Sequence, residues 1–154
     1  MVGVGSVQGR QCLDGRWSTN LFLPDGPHTV TARMSAGGTT VTDSVDITVD
    51  SVAPATPVVV TPTPGSTLTT SPVTLTGTTS PGARVTVHDA TSNAYGSATA
   101  DSNGSWTFTL ARDYFATAGV LTGRRSSLAI GLTATDAAGN SSDYARVTYQ
   151  TRLR

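Results

Sequence analysis

Apolar side chains alternate with Thr and Ser in one short stretch of this chain after another, and that period of two most limits the fold. Trp106, Phe108 and Leu110 share one side of a segment whose other side carries Thr107 and Thr109. Leu128, Ile130, Leu132 and Ala134 form a second row, and Ala145, Val147 and Tyr149 a third. Upstream lie Val85 and Val87, Val73 and Leu75, and the apolar run from Val58 to Val60. Successive residues of an extended strand point to opposite faces, so each row reads as the inward side of a half-buried strand. Pro64-Gly65, Pro81-Gly82, Asn103-Gly104 and Gly139-Asn140 punctuate the rows as turns.

Composition closes off the helical alternative. Every cation is Arg and every acid is Asp, so Lys and Glu, both good helix formers, are missing. Counting from Pro57, about seven short strands in roughly a hundred residues predict an all-β, immunoglobulin-like sandwich without the Cys…Trp…Cys pattern of antibody domains. A formal net charge of zero gives no footprint for nucleic acid. No run approaches the ~20 apolar residues of a membrane span, so membrane insertion is not expected. Met1-Val-Gly-Val-Gly lacks the basic start and apolar core of a secretory signal. The single cysteine, Cys12, leaves no disulfide within one chain.

The chain also repeats itself. Val30, Ala32 and Met34 match Ile130, Leu132 and Ala134 at a shift of 100 positions, and Val45, Ile47 and Val49 match Ala145, Val147 and Tyr149 at the same shift. DGRWSTNL (Asp14 to Leu21) answers NGSWTFTL (Asn103 to Leu110), with Trp17 and Trp106 offset by 89. The difference places an eleven-residue insertion between Ala111 and Ser127. Spacing at one-domain length indicates tandem modules. The first, however, repeats only the portion of the second from about Tyr95 onward. Residues 1–50 are therefore expected to form the C-terminal half of a sandwich, residues 51–56 a Pro-containing linker, and residues 57–154 a complete module. The half-module presents Trp17, Leu21, Val30, Met34, Val45 and Ile47 with no covering layer beside them. Six such side chains represent about 10 kcal/mol of unrealised burial. Four arrangements would relieve it: an upstream half lying elsewhere, strands added by a different polypeptide, self-association of copies, or packing back onto the second module.

DSVAPATPVV (Asp50 to Val59), NGSWTFTL, LTATDAAGNSS (Leu132 to Ser142) and LPDGPHTVTA (Leu23 to Ala32) resemble the bacterial immunoglobulin-like repeats of large surface adhesins and other exported bacterial proteins. The resemblance implies a non-enzymatic structural or adhesive module of an extracellular protein, acting by rigid spacing and association with other protein. It also implies calcium where modules join, for which Asp50, Asp89 and Asp136 are the candidate ligands; no other cofactor is expected. Two alternatives stay open: a decoration or tail protein of a virion, completing its fold on assembly, and a carbohydrate-binding accessory module.

Catalytic patterns are missing from the sequence. His28 and His88 stand apart from each other and from Cys12, off metal-ligand spacing. No Gly-x-Ser-x-Gly elbow and no phosphate-cradling glycine loop precedes a helix. Asp101-Ser-Asn-Gly104 begins like a calcium loop but lacks its terminal Glu, and a hairpin turn accounts for the same letters. The insertion holds Tyr114, Phe115, Arg124 and Arg125, which have the composition of a binding loop. A crossover in which Tyr114, Phe115, Val120 and Leu121 close one end of the core is the preferred reading of the same residues.

Overall fold

The computed structural model describes residues 18–153, and the chain divides between Ser51 and Val52 into two units. In the first, Gly37 and Gly38 set the shape. Both take positive φ, +58° and +81°, as the two central residues of the tightest hairpin turn require. This turn joins β1 (Gly26–Ala36) to β2 (Thr39–Val49) in unbroken antiparallel register, from Gly26 opposite Val49 to Ala36 opposite Thr39. Below the ribbon the Asp25 carboxylate accepts from the Ser51 N–H at 3.0 Å and the Ser51 hydroxyl at 2.9 Å, clasping the strand ends.

The counterpart of NGSWTFTL does not behave as its twin. Residues 18–24 carry no strand, although the repeat matches Ser18 to Leu21 with strand residues of the second unit. The reason is a missing neighbour. In the second unit that strand takes all its ladder partners from Val73–Thr78, and the described part of the first unit has no equivalent.

The second unit is a two-sheet sandwich. One sheet has the order β3 (Val58–Thr61), β5 (Val73–Thr78), β8 (Ser105–Leu110). The other runs β4 (Thr67–Leu68), β10 (Ala145–Thr151), β9 (Ser126–Thr135), β6 (Arg84–His88), β7 (Ala94–Thr99). This is the immunoglobulin-like β-sandwich that the alternation predicts. It has eight strands rather than seven, because Pro62 and Pro64 cannot donate to a ladder and the first strand breaks there. Its continuation, β4, crosses to the other sheet and pairs in parallel with β10. The segment read as a linker is built into this unit from Val52 onward. Pro54 and Pro57 are buried, the Ala55 N–H donates to Ser80 Oγ at 2.8 Å, and Thr79 Oγ1 donates to the Ala55 carbonyl.

Rows of inward residues meet between the sheets. Leu75, Trp106 and Leu110 face Val85, Val87, Ile130, Leu132 and Tyr149, all of them buried. Gly77 is required here, since a Cβ on it would collide with the Val58 carbonyl and the Trp106 ring. The indole N–H of Trp106 is the buried side-chain group without a hydrogen-bond partner among the described residues. The apolar run near Val58 alternates too: Val59 points inward, while Val58 and Val60 are exposed.

Asn103-Gly104 forms a turn but not a hairpin, which corrects the expectation from its letters. Strand β7 bonds to β6 and strand β8 to β5, so the turn carries the chain from one sheet to the other. Asp101 Oδ1 accepts from the N–H groups of Asn103 (2.8 Å) and Ser105 (2.9 Å), and Gly104 sits at φ +79°. The carboxylate that could have begun a calcium loop thus caps a turn between layers.

Candidate functional site

Alternation along β1 and β2, with the observed register, sorts the ribbon into two unlike faces. On one lie Val30 opposite Val45, Met34 opposite Val41, and His28 opposite Ile47. On the other lie Thr31 opposite Ser44, Ser35 opposite Thr40, and Thr29 opposite Asp46. Thr29 Oγ1 donates to Asp46 Oδ1 at 2.6 Å, and the Ser35 and Thr40 hydroxyls bond at 2.9 Å. The polar face satisfies itself.

The apolar face has no such cover among the described residues. Met34 is 66% exposed, Val45 57%, Val41 56% and Ile47 38%. Val30 is half-buried, as is Leu21 in the strandless lead-in. Trp17 lies outside the described residues. Val41 belongs to the same row, and the sequence reading missed it; the spacing Val41-x-Asp43-x-Val45-x-Ile47-x-Val49 carries the signal. Asp43, opposite Ala32, is the face's one charged side chain, near its middle. An edge-exposed ribbon with an apolar side invites both lateral strand pairing and face packing.

Of the acidic residues proposed for calcium, Asp89 and Asp136 follow opposite ends of the antiparallel pair β6–β9. Among the described residues no three His, Cys, Asp or Glu side chains stand close enough to hold an ion. Asp89 is spent on its own loop, its Oδ1 accepting from the Thr91 N–H (2.8 Å), the Thr91 hydroxyl (2.7 Å) and the Asn93 N–H (3.0 Å). Asp136 accepts from the Asn140 N–H at 2.8 Å and the Asn140 side-chain amide at 3.0 Å. These bonds favour the ionised form. The Thr91 hydroxyl above all holds Asp89 below the usual carboxylate range, and the Asn140 amide does the same for Asp136.

Histidines are similarly engaged. His28 Nε2 donates to the Pro24 carbonyl at 2.6 Å. His88 Nδ1 donates to the Ser92 carbonyl (3.3 Å), leaving Nε2 to accept from the Thr133 hydroxyl (3.0 Å).

Within the insertion, the structure separates the four residues of the alternative binding-loop reading and follows the preferred, core-closing one. Helix α1 (Arg112–Thr117) directs Tyr114 and Phe115 into the core, where both are buried. Tyr95 stacks edge-on against Tyr114 at 4.6 Å between centroids, and Tyr114 against Phe115 at 5.8 Å. Burial pushes the Tyr114 phenol up to about 12. Burial also raises Tyr95, helped by the bond from its hydroxyl to Asp113 Oδ1 (2.7 Å). The rings therefore close the end of the sandwich, which removes them as surface anchors. Arg124 and Arg125 remain exposed. Trp106 is likewise buried, so it offers no stacking platform to a sugar.

No helix among the described residues is long and apolar enough to cross a membrane. No curated protein matches the chain. A family model described as the bacterial Ig domain matches residues 53–151, which span the second unit from its first buried proline to the end of β10. Domains of this kind are typically non-enzymatic parts of extracellular proteins. On that match, and on the sandwich topology that accompanies it, the chain belongs to the bacterial Ig domain family.

Proposed function

We propose that the chain is a non-catalytic structural and adhesive module of a bacterial extracellular protein, in which the sandwich is a rigid spacer and the ribbon makes contact with other protein. One observation carries this reading. Met34, Val41, Val45 and Ile47 stand exposed side by side on one face of the ribbon, whereas the matching rows of the sandwich are sealed. Leaving four such side chains in water forgoes about 6–12 kcal/mol of burial, comparable to the roughly 5–15 kcal/mol stability of a whole domain. A two-stranded ribbon by itself is marginal in water. Association that covers this face accounts for both facts.

Sedimentation across a hundredfold dilution, paired with amide exchange, tests the proposal. The expected result is a mass above that of one chain at high concentration, with β1 and β2 amides losing protection as the assembly dissociates. A monomer at every concentration whose ribbon amides stay protected would refute it.

A further inference from the structure

Of the four asparagines in the chain, Asn103 alone is followed by glycine; Asn20, Asn93 and Asn140 precede Leu21, Ala94 and Ser141. Loss of the side-chain amide is fastest at such a pair, because glycine leaves its own backbone nitrogen uncrowded. The Gly104 nitrogen gives up its proton and attacks Asn103 Cγ. The new C–N bond closes a five-membered succinimide, the Cγ–Nδ2 bond breaks, and ammonia carries the proton away. Water then opens the ring at either carbonyl. One product is aspartate. The other, isoaspartate, routes the main chain through the side-chain carbon and lengthens it by one methylene.

The turn requires the glycine that makes this bond labile. Gly104 sits at φ +79°, and a Cβ on it would collide with the Thr79 carbonyl. The same turn withholds the reaction. The N–H of the attacking nitrogen donates to the Asp101 carbonyl at 3.0 Å, which keeps its proton in place. Both sides of the peptide are pinned as well. The Asn103 N–H donates to Asp101 Oδ1 at 2.8 Å, and the Gly104 carbonyl accepts from the Thr79 N–H at 2.9 Å. Behind them the Asp101 N–H donates to the Ser105 carbonyl (2.8 Å), and the Ser105 N–H to Asp101 Oδ1 (2.9 Å). Ring closure needs the Asn103–Gly104 peptide to swing towards its own side chain, which these bonds prevent while they hold.

We propose that Asn103–Gly104 is a latent modification site, closed in the folded sandwich and opened by unfolding, which turns a reversible unfolding into a permanent covalent mark. The mark acts on refolding. With an extra methylene at position 103, the Gly104 N–H and carbonyl no longer reach Asp101 and Thr79 together. The aspartate product instead sets a second carboxylate beside that of Asp101. This turn delivers β8, whose Trp106 and Leu110 belong to the core, so its distortion weakens the sandwich. The site lies wholly within the second unit and does not depend on the reading given to the ribbon.

The full chain, incubated for days at mildly alkaline pH with and without unfolding concentrations of urea, provides the test. Peptide mapping by mass spectrometry separates Asn103 from its two products, with Asn93 and Asn140 as internal references. Modification at Asn103 is expected to be at least tenfold slower in buffer than in urea, because only opened molecules react. After removal of urea, the fraction of chains that fail to regain the parent melting temperature should match the fraction carrying isoaspartate. Position 103 is exposed, so Asn103→Ala should fold, and it should refold fully after the same incubation. Equal rates with and without urea would overturn the proposal. So would isoaspartate-bearing chains that regain the parent melting temperature, or the same refolding loss in Asn103→Ala.

Discussion

Ribbon β1–β2 and hairpin β9–β10 descend from matching stretches of sequence yet end in opposite environments. Ile130 and Leu132 are fully buried, while their counterparts Val30 and Ala32 are only half-covered. Val147 packs against the core as a partly buried residue, while its counterpart Ile47 faces water. Their registers differ by two positions: Val30 pairs with Val45, whereas Ile130 pairs with Val147. An even shift keeps every side chain on its original face, so the apolar row survives intact in both. The difference is therefore not in the strands. Alternation writes an inward side, but only an opposing sheet makes it an interior, and β9–β10 has Leu75, Trp106 and Leu110 across from it.

The largest effect should come from attacking that opposing sheet. Gly77→Val forces a side chain into the Val58 carbonyl and the Trp106 ring; a loss of about 3 kcal/mol or more is expected in urea unfolding of the second unit. Next, the matched pair Ile130→Ala and Val30→Ala measures the comparison directly. The first should cost about 2–5 kcal/mol. The second should cost under about 1 kcal/mol in dilute solution, where the face is open, and a larger cost there would mean that the ribbon is already covered. Third, Val45→Asp places a charge in the middle of the exposed row, so any concentration-dependent mass should fall to that of one chain while the melt of the sandwich is unchanged.

Smaller effects come from titration. All four tyrosines belong to the second unit, and burial raises Tyr114 to about 12, with Tyr95 and Tyr149 moved the same way. A raised phenol pKa favours the neutral side chain in the folded state. Its contribution is complete below about pH 10, the value for an exposed tyrosine, and is lost as pH climbs towards 12. Ionisation of Tyr114 should thus accompany unfolding of the sandwich, and Tyr114→Phe should move that transition to higher pH. Smallest of all is the acid limb. Asp89 and Asp136 are held low by their loops, so their contribution is present above about pH 4 and fades as pH falls through their lowered values. Asp136→Asn should flatten that limb slightly.

The sandwich was legible in the residues because its longer strands carry their own pattern, and the rows ending at Leu110, Ala134 and Tyr149 are buried in the core or packed against it. What escaped was decided by partners distant in sequence. A two-residue strand such as Thr67–Leu68 has no period to read, and only its bonds to β10 define it. Asn103-Gly104 carries the letters of a hairpin, yet the sheet in which β8 finds its neighbour decides that the turn crosses between layers. Tyr114 and Phe115 look alike as surface anchors and as core residues until α1 fixes their direction.

One detail of the sandwich bears on how it would carry load. Because β4 runs alongside β10 in the same direction, three backbone bonds tie the entering strand to the leaving one: Gly65 N–H to Thr148 O, Gln150 N–H to Ser66 O, and Arg152 N–H to Leu68 O, at 2.7, 3.0 and 2.9 Å. Tension applied at the two ends of the unit would slide these strands past each other and stretch all three bonds together, instead of peeling them one at a time. A tether built this way yields late and abruptly.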